Sequence, residues 1–252
     1  MPRDLPRSVG RASVLRVSRP STVDLIAIEL RKAIFSGALT VGASLGEVEI
    51  ASQLGVSRSP LREAAQRLVQ EGILTAIPGR GMSVSVIKGD QIADVYEMRL
   101  AIETQAARRI ARDPDPQVLQ RITSAYDDLV AVSDGEDARA IGDADLEFHQ
   151  VLVDAVGSDR LSQGMATLIM QTRIVSFSVP EGYSVRRSVS PTYRRLLDAL
   201  GEGDADAAVA ALEEQFADAV SRLRGDVTVD IVEVDVSKAD QVFQPIDSAA
   251  AD

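Results

Sequence analysis

Residues 47–81 carry the side chains best suited to chemistry, and that chemistry is hydrogen bonding rather than catalysis. In EVEIASQLGVSRSPLREAAQRLVQEGILTAIPGRG, Ser59, Arg62, Glu63, Gln66 and Arg67 fall on the polar side of a helical repeat. Its apolar side is Leu61, Ala64, Ala65 and Leu68. Guanidinium and amide groups on an outward helix face are what the edge of a base pair can bond. Arg80 stands between Gly79 and Gly81 in a later turn, where the backbone can approach a phosphate or a minor groove closely. Catalytic alternatives are thin. The chain has no cysteine, a single histidine (His149) and no phosphate-cradling glycine loop. Asp143, Asp145 and Glu147 could pair as carboxylates, but acids abound in this chain and ordinarily form a solvated face. No enzyme is expected.

Two short helices and a hairpin would have to position these groups. Val48, Ala51 and Leu54 recur at spacing three and predict an apolar face on the first helix. Gly55 follows where a helix commonly ends in the left-handed conformation, and Val56 can plug the space between the helices. Ser59 is the expected N-cap of the second helix, with Pro60 at its first position, where a missing N–H costs nothing. Residues 73–77 and 82–86 read as strands around the turn 78–81, forming a wing. A plain helical hairpin is the bland alternative. The short turn, the Ser-Arg-Ser-Pro start and the wing together favour a winged helix-turn-helix shaped for a DNA groove.

The rest of the chain divides around that unit. Residues 1–20 contain five arginines among Pro, Ser and Gly, a disordered basic arm that is either an unstructured terminus or an extra phosphate or minor-groove contact. An amphipathic helix over 22–36 completes a DNA-binding domain at 21–88, and Lys88-Gly89-Asp90 marks the linker. Helical repeats follow at 90–112, 116–132, 138–156, 159–179, 187–200 and 205–224. The expected fold is therefore mainly α: an N-terminal winged helix-turn-helix with a small β-hairpin, then an antiparallel six-helix bundle at 89–225. Residues 226–236 alternate Val/Ile with acids as a half-buried strand would, inside an acidic tail at 226–252 that is otherwise polar and loose.

Charge is partitioned the same way. Residues 1–88 hold 12 Lys/Arg against 7 Asp/Glu, net +5, and residues 89–252 hold 15 against 31, net −16, within a total of −11. A basic third joined to an acidic remainder is expected when only one domain meets phosphate. No apolar run approaches the ~20 residues that span a bilayer, and the N-terminus lacks the apolar core of a secretory signal. A cytoplasmic, nucleoid-associated protein with no membrane partner is expected. The lack of cysteine excludes disulfides, thiolate catalysis and any cysteine-based zinc site.

With the winged unit joined to an all-helical domain, the chain resembles bacterial GntR-family transcription regulators over residues 25–224. Val-Ser-Arg-Ser-Pro-Leu-Arg-Glu-Ala (56–64) and Gly-Arg-Gly (79–81) look like that family's DNA-binding signature. Tyr-Glu-Met-Arg-Leu-Ala-Ile-Glu (96–103) and Asp-Leu-Glu-Phe-His (145–149) are similar to the effector domain of its FadR subfamily. The resemblance implies a homodimer on a palindromic double-stranded operator, released or recruited by a small-molecule effector. It places Arg58 and Arg62 in the major groove, Ser57 and Ser59 on phosphates, and Gly79, Arg80 and Gly81 at the wing tip. Pro60 and Gln66 lie in the same interface. Some relatives carry arginine where this chain has Val48, which implies fewer phosphate contacts from the first helix.

For the helical domain the resemblance implies a divalent metal held by one aspartate and three histidines. Asp145 and His149 match the first pair, four residues apart on one helix face. Tyr193 and Gln215 stand where the other two histidines would be, leaving an incomplete set that is poor for Zn²⁺ or Ni²⁺. No cofactor is therefore expected, with a divalent metal at Asp145 and His149 as the alternative. His149 reads as a buried histidine bonded to Asp145 or Tyr193, or as part of a pocket with Tyr193 and Gln215 that binds an organic ligand. Arg99 and Arg173 could hold a carboxylate or phosphate there, or could be structural ion pairs; Arg99 has Glu103 at i+4. Acyl-CoA-binding relatives do without the metal, so a small carboxylate or acyl metabolite is the expected effector of a repressor. A winged protein coating DNA without sequence preference is the rival function.

Overall fold

The computed structural model describes residues 20–135, 137–178 and 191–225, and the backbone of 184–186 and 231–233. The winged unit comprises α1 (Thr22–Phe35), α2 (Glu47–Leu54), α3 (Arg58–Gln70), β1 (Leu74–Ile77) and β2 (Gly81–Val84). Then come α4 (Asp90–Arg112), α5 (Pro116–Ser133), α6 (Ala138–Asp154), α7 (Asp159–Ser178), β3 (Ser184–Arg186), α8 (Pro191–Glu202), α9 (Ala205–Arg224) and β4 (Ile231–Glu233). The fold is thus mainly helical, with the small hairpin directly after the helix-turn-helix.

Local signals account for most boundaries. Ser21 and Asp24 form a reciprocal capping box at the start of α1. The Ser21 hydroxyl and backbone N–H, with Arg67, hold the Asp24 carboxyl below its usual range. Gly55 ends α2 in the left-handed region, φ 68°, which turns the chain towards α3 without steric cost. Asp115 caps α5 ahead of Pro116, and Asp137 and Asp204 cap α6 and α9.

Three expectations are corrected. Val48 is 67% exposed, and the buried face of α2 is Ile50, Ala51 and Leu54. In an eight-residue helix the i, i+1, i+4 stripe beside α3 leaves Val48 on the solvent side. The N-cap of α3 is Ser57, extended at φ −78° and ψ 161°, not Ser59. Pro60 therefore sits in the third helical position rather than the first, still among the N–H groups that lack a helical acceptor. Finally, the helical domain is not free of strand. β3 pairs antiparallel with β4, Val185 opposite Val232, so part of the 226–236 stretch is a strand with its partner in the 179–190 connection.

α8 is described from Pro191, short of the expected start at 187, and residues 187–190 lie outside the described residues. So do the basic arm at 1–19 and the tail beyond 233. The wing gains a third extended segment at residues 43–45. Ser44 bridges Ser83, with Leu45 N–H donating to Met82 O at 2.8 Å and Val84 N–H donating to Ala43 O at 2.9 Å.

The two halves share a core. Ile26, Leu30, Leu54, Leu61 and Leu68 of the winged unit belong to one buried cluster with Ile92, Val95, Ile174, Val175 and Phe216. Polar contacts reinforce the joint. Arg139 of α6 donates to Ser36 O (2.5 Å) at the end of α1, and Gln171 of α7 donates to Glu71 O (3.1 Å) at the end of α3. Donors placed on helix C-terminal carbonyls satisfy acceptors that the helix itself leaves open. The winged unit is therefore bonded directly to α6 and α7, not merely tethered through Lys88–Asp90.

Candidate functional site

On the winged unit, α3 buries Leu61, Ala64, Ala65 and Leu68 against α1 and α2 and leaves Arg58, Ser59, Arg62 and Gln66 exposed. Pro60 is half-buried, and the exposed Ser57 makes no side-chain capping bond. Glu47, at the first turn of α2, reaches across the helix-turn-helix. Its Oε2 accepts from Arg62 Nε at 2.6 Å and lies 3.6 Å from Arg58 Nη2. Glu47 is only 12% exposed while the two arginines are more than half exposed, so the carboxylate orders Arg62 through Nε, leaving its terminal nitrogens outward, and draws one terminal nitrogen of Arg58 towards it. Sequence reasoning missed Glu47 because a contact over 15 residues leaves no periodic trace.

Arg67, read as outward, is instead bonded to Asp24 (2.6 Å) and Glu63 (3.2 Å), which ties α3 to α1. At the wing tip Arg80 N–H donates to Ile77 O (3.0 Å), closing the turn, and Gly79 and Gly81 flank an exposed Arg80.

The bundle assembles a second group. Arg99 and Glu103 on α4, Asp145 and His149 on α6, Tyr193 on α8 and Gln215 on α9 meet in the interior. Glu103 is the hub, with no exposed surface. One oxygen accepts from Arg99 Nε at 3.0 Å, and the other lies 2.5 Å from His149 Nδ1. His149 Nε2 lies 3.3 Å from the Gln215 amide nitrogen and 3.5 Å from the Tyr193 hydroxyl. The Tyr193 hydroxyl donates to Asp145. The Arg99 guanidinium sits 4.6 Å from the centroid of Phe216 and 5.2 Å from that of Tyr96, a cation packed beside two rings that themselves meet edge to face.

Two electrostatic consequences follow. Burial pushes the Tyr193 phenol well above its usual range, and the Asp145 carboxylate adds to this, so Tyr193 stays a neutral donor. Burial alone would lower Arg99, but Glu103 and the other anionic neighbours outweigh it and hold the guanidinium above its usual value.

Asp145, His149, Tyr193 and Gln215 are thus brought together, and Arg99 with them. Arg173 is placed elsewhere. It pairs with Asp143, lies 5.5 Å from the centroid of Phe35 in α1, and lines an open groove of about 440 Å³ between α6 and α7. The i, i+4 spacing alone marks Glu103 only as an ion-pair partner of Arg99. Its signal was stronger than that, because it falls in register with Val95, Tyr96, Arg99, Ala106 and Ile110 on the buried stripe of α4. A carboxylate in a core register needs buried partners.

Comparison with known proteins places these two constellations in context. Residues 22–84 match the family described as bacterial regulatory proteins, gntR family, and residues 94–218 match the FCD domain. An HTH-type transcriptional regulator in the TAR-I ttuE-ttuC' intergenic region of Agrobacterium vitis is 33% identical over 127 residues, 49% of this chain and 74% of that protein. The chain belongs to the GntR family. A D-xylose utilization operon transcriptional repressor of Paenarthrobacter nicotinovorans is 25% identical over 206 residues, 82% of this chain and 90% of that protein. The chain spans 57 to 62% of the length of three further curated relatives. The crystal structure of a GntR transcriptional regulator from Rhodococcus sp. RHA1 superposes with a TM-score of 0.69 at 28% identity, covering 82% of this chain and 99% of that one.

GntR-family membership makes this a chain of the DNA-binding transcription-regulator class, with a helical FCD effector domain. Among the described residues no helix is long and apolar enough to cross a membrane. The divalent metal implied by the FadR-type resemblance can be tested against the side chains present. Asp145 already accepts the Tyr193 hydroxyl, and the Tyr193 phenol is held neutral. Gln215 turns its amide nitrogen, a donor, towards the imidazole. One imidazole nitrogen and one engaged carboxylate remain, and this set does not fit Zn²⁺ or Ni²⁺.

Proposed function

We propose that this GntR-family protein is a ligand-responsive repressor that binds a palindromic operator as a homodimer. A small carboxylate or acyl metabolite received in the helical domain would release it. The observation that carries the DNA half of this reading is the pair Arg58 and Arg62, exposed on α3 and ordered by Glu47. Arginine forks of this kind suit guanine O6 and N7 in the major groove, with Ser57 and Ser59 on phosphates and Arg80 at the wing contact. Net charge +5 on residues 1–88 supplies the phosphate attraction, and −16 on the remainder keeps the effector domain off the duplex.

The effector half rests on Arg99, His149, Tyr193 and Gln215 converging beside Glu103 and Asp145. Coupling would run through the seated joint. A ligand bound more tightly in one arrangement of α4, α6 and α7 shifts the winged units relative to the ~34 Å spacing of adjacent half-sites. The relative named as a repressor of a D-xylose utilization operon supports the repressing sign. Operation in the cytoplasm, without membrane or catalytic role, belongs to the same proposal.

Selection of fragments from a random DNA library on the full chain tests this reading. An enriched inverted repeat is expected, weakened when five base pairs are inserted between its halves, because half a turn moves one site to the opposite face. Recovery of unrelated sequences would contradict operator reading and favour an architectural protein that coats DNA.

A further inference from the structure

Arg99 and Gln215 are 1% and 6% exposed, yet Arg99 Nη2 and Gln215 Oε1 have no hydrogen-bond partner in the protein. Both belong to one bonded chain, Arg99–Glu103–His149–Gln215. Buried polar atoms are ordinarily paired, because an unmade bond forfeits the hydration it replaced. A free guanidinium N–H asks for an anionic oxygen, and a free amide carbonyl asks for a donor. Gln215 and Tyr193 close the alternative of a metal. Gln215 presents nitrogen to His149, and Tyr193, kept protonated, occupies the Asp145 carboxylate.

We infer that this cluster is a metal-independent site for a small carboxylate, with the Arg99 guanidinium supplying the positive charge that a metal ion would otherwise supply. The inference rests on the helical domain being the effector site. Tyr193 and Gln215 are then specificity residues: they exclude the metal and select a ligand whose carboxylate meets Arg99 and whose hydroxyl or amine meets Gln215. The carboxylate replaces no bond already made, since Arg99 keeps Nε on Glu103 while Nη2 is open.

The test titrates Ni²⁺ and Zn²⁺ into EDTA-treated full-length protein and into the Tyr193→His/Gln215→His double variant, with circular dichroism confirming that both are folded. The variant is expected to bind one ion per chain at least about 100-fold more tightly than the original, because it restores imidazole donors at both positions. In parallel, acetate, glycolate, succinate and citrate are screened by thermal shift in EDTA. At least one is expected to raise the melting temperature of the original chain, and Gln215→Met is expected to lose the added response to glycolate over acetate.

Tight stoichiometric metal in the original chain would overturn the inference. So would a folded double variant that binds metal no better, or a carboxylate response that appears only when Ni²⁺ is added. A panel with no response in either condition overturns it as well. Operator binding, measured on the same preparation, reads the regulator proposal separately.

Discussion

Replacing Arg62 by alanine is expected to lower affinity for operator DNA by about 10- to 100-fold per half-site, the worth of one good bidentate base contact at ~1–3 kcal/mol. Random DNA should lose only a few-fold, since one cation among many is removed and the salt slope falls by about one. The geometry gives the reason for the asymmetry. Glu47 holds Arg62 through Nε, so both terminal nitrogens of the fork stay available and the side chain is ordered before it meets DNA. Less rotamer entropy is then lost on binding. Fluorescence anisotropy with operator and scrambled duplexes at one salt concentration measures both losses. Equal losses on the two duplexes would show that Arg62 contacts phosphate and reads no base.

Glu103→Ala should produce the largest loss of stability. The carboxylate is fully buried and serves Arg99 and His149 together, and both of these are also buried. Removing it strands a guanidinium in the bundle interior, which typically costs about 3–5 kcal/mol. For a chain of this size that lowers the melting temperature by on the order of 10 °C. The companion variant Arg99→Met/Glu103→Leu removes both charges and should recover much of the loss, because a buried ion pair is often no more stable than well-packed apolar residues. A melting temperature within about 2 °C of the original for Glu103→Ala would mean that Arg99 and His149 find other partners and that Glu103 is not their hub.

These two residues also show how far the sequence could be read. The helix-turn-helix was legible because its signals are local: Gly55 at a left-handed position, alternating strand residues at the wing, and Leu61, Ala64, Ala65 and Leu68 at helical spacing. The N-cap of α3 at Ser57 and not at Ser59 has a local cause as well. Pro is tolerated throughout the first turn, so its presence marks a helix start only to within two positions. Spacing alone puts Val48 on the buried face, whereas the packing direction of a two-turn helix is set by its neighbours.

The bundle cluster was half legible. Asp145 and His149 announce themselves at i, i+4, and resemblance supplied Tyr193 and Gln215. The hub, Glu103, lies 46 residues from His149, and a pairing at that separation is written only in the fold. Arg173 shows the opposite failure. It shares a charge and a domain with Arg99, yet α7 turns it towards Asp143 and Phe35. The β3–β4 pair joins two stretches more than 40 residues apart, so the Val/Ile alternation near 231 could suggest a strand without suggesting its partner.

As the proposed regulator, this acidic chain reads DNA sequence through Arg58, Arg62 and Arg80 and does not merely bind phosphate. The most direct measurement is the ratio of dissociation constants for the selected operator and a scrambled duplex of equal length, taken with full-length protein at one fixed near-physiological salt concentration. A ratio of about 1000 or more in favour of the operator is expected. A ratio within a few-fold of one, with both affinities collapsing together as salt rises, would contradict it.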